Sequence, residues 1–216
     1  MSQVTPFPSD RPGLSPRTPV QRDEGRRPLT PEELVDWLSE NREAIADRWL
    51  LEIRSRVEGV DGETEEILRG FLGLLVGFLP LGLGPYRDQV LPSLHQAAEL
   101  FGNLGAIRGL AAGEAVEEAQ LLREVLFRFL FRDLPSADGP GLGLRELLQL
   151  SRLVDQTVTH ASVGHTDTLF FNLFHGTGVP DTPAQAVLDE VHSQVKSLSE
   201  EVRRLERLEE GEPISG

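Results

Sequence analysis

The sequence contains no cysteine among its 216 residues. Disulfide bonds, thiolate metal sites and cysteine nucleophiles are therefore excluded, and a chain without disulfides is typical of the cytoplasm. Basic residues are also few, because 21 Lys and Arg face 35 Asp and Glu, for a net charge of −14. Since a protein that binds nucleic acid needs a clustered basic surface, this balance argues against a nucleic-acid partner.

Long hydrophobic runs are missing as well. The longest, from Phe71 to Gly84, has 14 residues and contains Pro80, which makes it too short to span a bilayer. The N-terminus, Met-Ser-Gln-Val-Thr-Pro, lacks the apolar core of a signal peptide. We therefore expect a cytoplasmic chain with no membrane partner.

Apolar residues recur instead at three- and four-residue steps, which indicates amphipathic helices. Thr30-Pro31-Glu32-Glu33 is a capping box and predicts the first helix start. No segment alternates with period two, so strands are not expected. The sequence predicts a disordered Pro-rich tail over 1–28, an all-α body over about 30–178 and a further helix over 182–210.

The most informative stretch runs from Gly105 to Leu134. Its glycines, at positions 105, 109 and 113, predict a turn that tolerates positive φ. From Glu114 the pattern becomes helical, with small residues first and bulky ones later. The later half leaves little polar face, which predicts a central helix that the other helices surround.

The same stretch contains Gly105-x-x-Arg108-Gly109, then Glu114-Ala115-Val116, then Glu118-x-x-Leu121-Leu122-Arg123-Glu124. This order of pieces resembles the N-terminal sensor domain of RsbR-type stressosome proteins, the RsbT co-antagonist family, over about residues 30–178. Ala119 departs from the pattern, since such segments often carry an aromatic residue there. The resemblance implies a globin-like helical bundle without haem that serves as a signal-input and dimerisation module. Its partners would be a second copy and a separate kinase, phosphatase or anti-sigma regulator.

A heptad-like stripe follows the body. Its members fall at steps of three and four residues and are Leu188, Val191, Val195, Leu198, Val202 and Leu205. Such a stripe predicts a short parallel coiled coil that would hold a homodimer together. Folding back onto the bundle is the alternative.

Histidines are the side chains with the most plausible catalytic or ligand chemistry. They are His95, His160, His165, His175 and His192. His160 and His165 are five residues apart, about 140° around a helix, so they do not converge on a metal as an i,i+4 pair would. The sequence has neither a nucleophile-elbow motif nor a phosphate-binding loop. We therefore expect no enzyme activity and no metal site.

Two pairs of residues are candidates for binding a cofactor or a small molecule. His95 and His160 are the possible haem ligands if the chain is a haem-binding sensor, although the resemblance implies no cofactor. Arg108 and Arg123 are weak candidates for binding a small molecule between helices, and an ion pair with Glu114 or Glu118 is the preferred interpretation. The sequence thus predicts a signalling sensor, with a haem- or small-ligand-binding globin-type sensor as the alternative.

Overall fold

The computed structural model describes residues 29–56, 62–133, 143–175 and 185–209. These residues form seven α-helices and no strand, which confirms the predicted all-α class. The helices are α1 Pro31–Glu40, α2 Arg42–Arg56, α3 Gly62–Leu83, α4 Arg87–Ile107, α5 Ala112–Asp133, α6 Leu144–His175 and α7 Gln185–Glu209. The predicted tail over 1–28 lies outside the described residues, as do positions 182–184 and 210 of the predicted last helix.

The first helix begins where the capping box predicts. Thr30 Oγ1 accepts the backbone N–H of Glu33 at 3.2 Å, and Glu33 Oε2 accepts the N–H of Thr30 at 2.9 Å. Two otherwise unsatisfied donors at the helix start are thereby paired. Leu34 and Leu38 then bury the inner face of α1.

The centre of the bundle is α3, not α5 as the sequence predicted. From Phe71 to Gly82 nearly every residue of α3 is buried, and α3 contacts α1, α2, α4, α6 and α7. The end of α5 is open instead, since Phe131 is 71% exposed. The bulky end of α5 is therefore buried on one side only, with Leu126 and Leu130 inside and Phe131 outside.

Within the described part of the chain, one helical segment is long and apolar enough to cross a membrane. It is Thr64–Leu83, with a mean hydropathy of 1.6. However, 72% of its most apolar window is buried inside the bundle. Burial of this kind is typical of the core helix of a soluble protein.

The position of α7 corrects the predicted dimer seam. Five members of its stripe are 1–9% exposed, namely Val191, Val195, Leu198, Val202 and Leu205, and α7 packs on α3 and α4 of its own chain. Arg42 adds an ion pair with Glu206 at 2.9 Å. An apolar stripe specifies burial but not its partner, and a surface on the same chain is present at high effective concentration. The apolar stripe of α7 is therefore buried against its own bundle, which is the alternative that the sequence left open. The side chain of Leu188, the sixth member, lies outside the described residues.

Candidate functional site between α4, α5 and α6

The turn between α4 and α5 is tighter than predicted. Of its three glycines only Gly109 has a positive φ, 78°, while Gly105 ends up in α4 and Gly113 in α5. Gly105 serves close packing, because a Cβ there would lie 3.3 Å from the Cβ of Ala115. The turn therefore spans only residues 108–111.

A buried ion pair closes this turn. Arg108 Nη1 and Nη2 donate to the two carboxylate oxygens of Glu118 at 2.8 and 2.9 Å. The two side chains are only 7% and 6% exposed. A bidentate pair out of water is stabilising only when its geometry is this complete. Arg108, proposed above as a weak ligand candidate, is thus occupied by an intramolecular carboxylate.

Trp49 ties α2 to the same place. Its indole Nε1 donates to the backbone oxygen of Glu118 at 2.7 Å, and its side chain is fully buried. The Trp49 ring also packs on Phe101 of α4, with centroids 5.7 Å apart. The backbone and the carboxylate of Glu118 are therefore both held, from two different helices.

The backbones of α4 and α6 meet at two glycines. A Cβ on Gly102 would lie 1.8 Å from the carbonyl oxygen of Ala161, and one on Gly164 would lie 2.0 Å from the carbonyl oxygen of Glu99. No side chain larger than hydrogen fits at either position without moving a helix. The backbones of α4 and α6 are therefore in direct contact at these two glycines, and we call this place the crossing.

His165 connects this crossing to the turn. It is 1% exposed, and its Nε2 lies 2.8 Å from the carbonyl oxygen of Leu110. Because a carbonyl oxygen can only accept, the Nε2 of His165 carries the hydrogen and the ring is held as a donor. Its Nδ1 is buried without a partner.

About one turn before Gly164, α4 and α6 bring together the two histidines named as haem candidates. The rings of His95 and His160 stack with centroids 3.8 Å apart and planes 11° apart. His160 Nδ1 lies 2.8 Å from Oε1 of Glu99. Iron binds an imidazole through the in-plane lone pair of a ring nitrogen, and here His95 Nε2 is buried while His160 Nδ1 is in contact with Glu99.

The environment of His95 disfavours a positive charge. Burial first, and then the neighbouring His160, lower the pKa of His95 from its ordinary value of 6.5, while Glu99 and Gln156 act in the opposite direction. Gln156 lies beside the ring, yet neither His95 Nε2 nor Gln156 Oε1 completes a hydrogen bond. His95 and the neighbouring Gln156 therefore each have one buried polar atom without a hydrogen-bond partner.

Arg123 is engaged with α6. Its guanidinium forms an ion pair with Asp155, at a surface where Arg123 is 37% and Asp155 60% exposed. Both arginines proposed as ligand candidates thus pair with carboxylates, at different places in the contact of α4, α5 and α6, which we call the junction.

The cavities near the junction are a poor match for an organic ligand. One beside Leu153 of α6, also lined by Arg87 and Arg152, has a volume of about 70 Å³, whereas ligand pockets typically measure about 300–1,000 Å³. A larger depression of about 570 Å³ beside Phe129 and Phe131 is open to solvent. In the described ranges, no three His, Asp or Glu side chains are placed to hold a metal ion.

Four residues of this site were missed by sequence reasoning: Glu99, Gly102, Gln156 and Gly164 as a contact residue. Glu99 is four residues after His95, so a shared helix face could have been read from spacing. Small residues at 98, 102 and 105 of α4 and at 161 and 164 of α6 are a pattern typical of close helix contact. The pairing of these two helices was the missing information.

The chain matches no known protein family, no curated protein and no solved structure. The class that fold and site define is accordingly an all-α bundle with a buried ion pair between α4 and α5. The resemblance to RsbR-type sensor domains rests on the sequence motif alone.

Proposed function

We propose that the chain is a bacterial signal-transduction module of the RsbR-type sensor kind, with a globin-like bundle, that acts through dimerisation and protein contacts and without catalysis. The motif behind the resemblance supports this proposal. Its Arg108 and Glu118 pair at the α4–α5 turn, and its Arg123 reaches α6. The motif residues thus join the three helices of the junction.

The observation that carries the proposal is an apolar surface at the end of α6. We call it the α6 terminal patch, and it consists of Phe170, Phe171, Leu173 and Phe174, which are 55–84% exposed. Phe170 stacks on Phe174 with centroids 6.5 Å apart. Contiguous exposed apolar surface of this kind marks protein-interaction sites.

A second copy of the chain is the occupant that charge favours. With a net charge of −14, two copies repel each other across most of their surfaces. Residues 168–174 carry no charge, so the patch is where two copies can approach. A two-fold interface also places the same patch on both sides, and an aromatic surface is complementary to itself. A separate signalling protein would then bind to the dimer.

The alternative, a haem- or small-ligand-binding sensor, has less support. The two candidate histidines face each other, and the two candidate arginines are paired with carboxylates. Sedimentation equilibrium of the full chain over a range of concentrations tests the proposal. We expect a concentration-dependent dimer, and a monomer at every concentration up to about 100 µM would contradict it, since a Kd above that level corresponds to less than about 5.5 kcal/mol.

A further inference from the structure

The stacking of His95 on His160 depends on how many protons the two rings carry. His95 from α4 and His160 from α6 lie face to face at 3.8 Å. Two neutral imidazoles, or one neutral and one charged ring, can share this arrangement. Two imidazolium ions cannot share it without cost, because like charges at this distance disfavour the second proton. Proton uptake and ring contact are therefore coupled.

The surrounding groups differ for the two rings. The charged and titratable groups that act on His95 are His160 from α6 and Glu99 from its own helix. Glu99 Oε1 lies 2.8 Å from Nδ1 of His160, and a carboxylate oxygen can only accept a hydrogen bond. His95 Nε2 is buried beside Gln156, whose Oε1 also lacks a donor.

We propose that His95 and His160 form a proton-binding site whose occupancy changes the contact between α4 and α6. His160 precedes the Gly164 crossing along α6, and the α6 terminal patch follows it. Because the backbones already touch at the glycines, separating the rings on one side of the crossing turns α6 relative to α4 on the other side. Acidification is thereby the signal that the protein detects. This inference rests on the proposed signalling function.

The sign of the effect follows from the lowered pKa of His95. The unfolded chain, with the ordinary value of 6.5, binds this proton more tightly than the folded chain does. The contribution of His95 to the free energy of unfolding is thus complete above about pH 6.5 and is lost as pH falls from there toward the folded pKa. Other ionisable groups add their own pH dependence, so the comparison must be made between variants.

The test is a histidine and amide NMR titration of the full chain from pH 8 to pH 5. The variants are His95→Phe and His160→Phe, which keep a ring in the stack, and His192→Gln on the exposed face of α7 is the matched control. We expect the His95 ring to titrate below 6.5, its midpoint to rise in His160→Phe, and the amides of Gly164 and Phe170 to shift with the same midpoint. The control should change none of these.

Two results would overturn the proposal. One is a His95 midpoint at or above 6.5 that His160→Phe leaves unchanged. The other is a His95 titration that the Gly164 and Phe170 amides do not follow. If a ring variant fails to fold, Glu99→Gln takes its place and should lower the His95 midpoint, because Glu99 raises the pKa of His95. Because none of these readouts depends on self-association, a monomeric protein would contradict the signalling proposal while leaving the proton site standing.

Discussion

Arg108 at the end of α4 and Glu118 in α5 form a bidentate ion pair, and both side chains are buried. Ten residues separate them along the chain, so the pair fixes how α5 leaves the turn. Trp49 holds the backbone of the same glutamate. One residue, Glu118, therefore positions three helices: its carboxylate joins α4 to α5, and its backbone oxygen joins α2 to α5.

Breaking this pair should be costly. Arg108→Ala leaves the Glu118 carboxylate buried and unpaired, which typically costs about 3–5 kcal/mol of unfolding free energy. Urea denaturation measures the loss, and Arg87→Ala, at an exposed position, should stay within about 0.5 kcal/mol of the parent. Arg108→Met combined with Glu118→Leu should lose less than Arg108→Ala alone, since no unpaired charge remains. An equal loss in the double variant would show that the cost is not one of burying charge.

The glycine crossing should not accept a methyl group. Gly102→Ala would place its Cβ 1.8 Å from a backbone oxygen, and overpacking of this kind costs about 1–3 kcal/mol or more. Gly73→Ala in α3 is the matched control, because nothing lies within 4 Å of its added Cβ. There the higher helix propensity of alanine should stabilise the protein by about 0.5–1 kcal/mol. Thermal denaturation that shows the same sign for both variants would contradict the close approach of α4 and α6.

The apolar stripe of α7 should behave as core. Leu205 is 1% exposed within its own chain, so Leu205→Ala should cost about 2–5 kcal/mol, whereas Leu51→Ala at a 53% exposed position should have little effect. The loss in melting temperature should not vary with protein concentration. A loss that grows on dilution would mean that α7 pairs between chains, as the heptad pattern originally indicated.

Haem should not bind at the stacked histidines. Purified protein mixed with hemin should show no Soret band that depends on His95 or His160, because His95 Nε2 is buried and His160 Nδ1 is in contact with Glu99. The control is the His95→Phe variant treated identically. A band present in the parent and lost in this variant would restore the alternative of a haem-binding sensor.

Local signals in the sequence predicted local structure well. The capping box at Thr30 and the absence of period-two alternation gave the first helix start and the all-α class, because both depend on neighbouring residues only. The turn before α5 was located, but Gly105 and Gly113 were wrongly assigned to it. A glycine is equally suited to a turn and to a close helix contact, and only the packing partner distinguishes the two uses.

Contacts between distant helices were beyond the sequence pattern. The ion pair of Arg108 with Glu118 was anticipated as one of two options, since ten residues and one turn limit the choices. His95 and His160 were named as possible haem ligands, but nothing in their spacing of 65 residues indicated that their rings would stack on each other. The stripe of α7 shows the same limit, because its amphipathic pattern could not distinguish its own bundle from a second chain.

The central claim is that the α6 terminal patch joins two copies of the chain, and sedimentation of a patch variant tests it most directly. Phe170→Asp combined with Phe174→Asp places charges on side chains that are 55% and 84% exposed, so the fold should be retained. Leu51→Asp on α2 is the control, since its side chain is 53% exposed outside the patch. We predict that the patch variant sediments as a monomer at concentrations where the parent and the control are dimeric. A patch variant as dimeric as the parent would contradict the account.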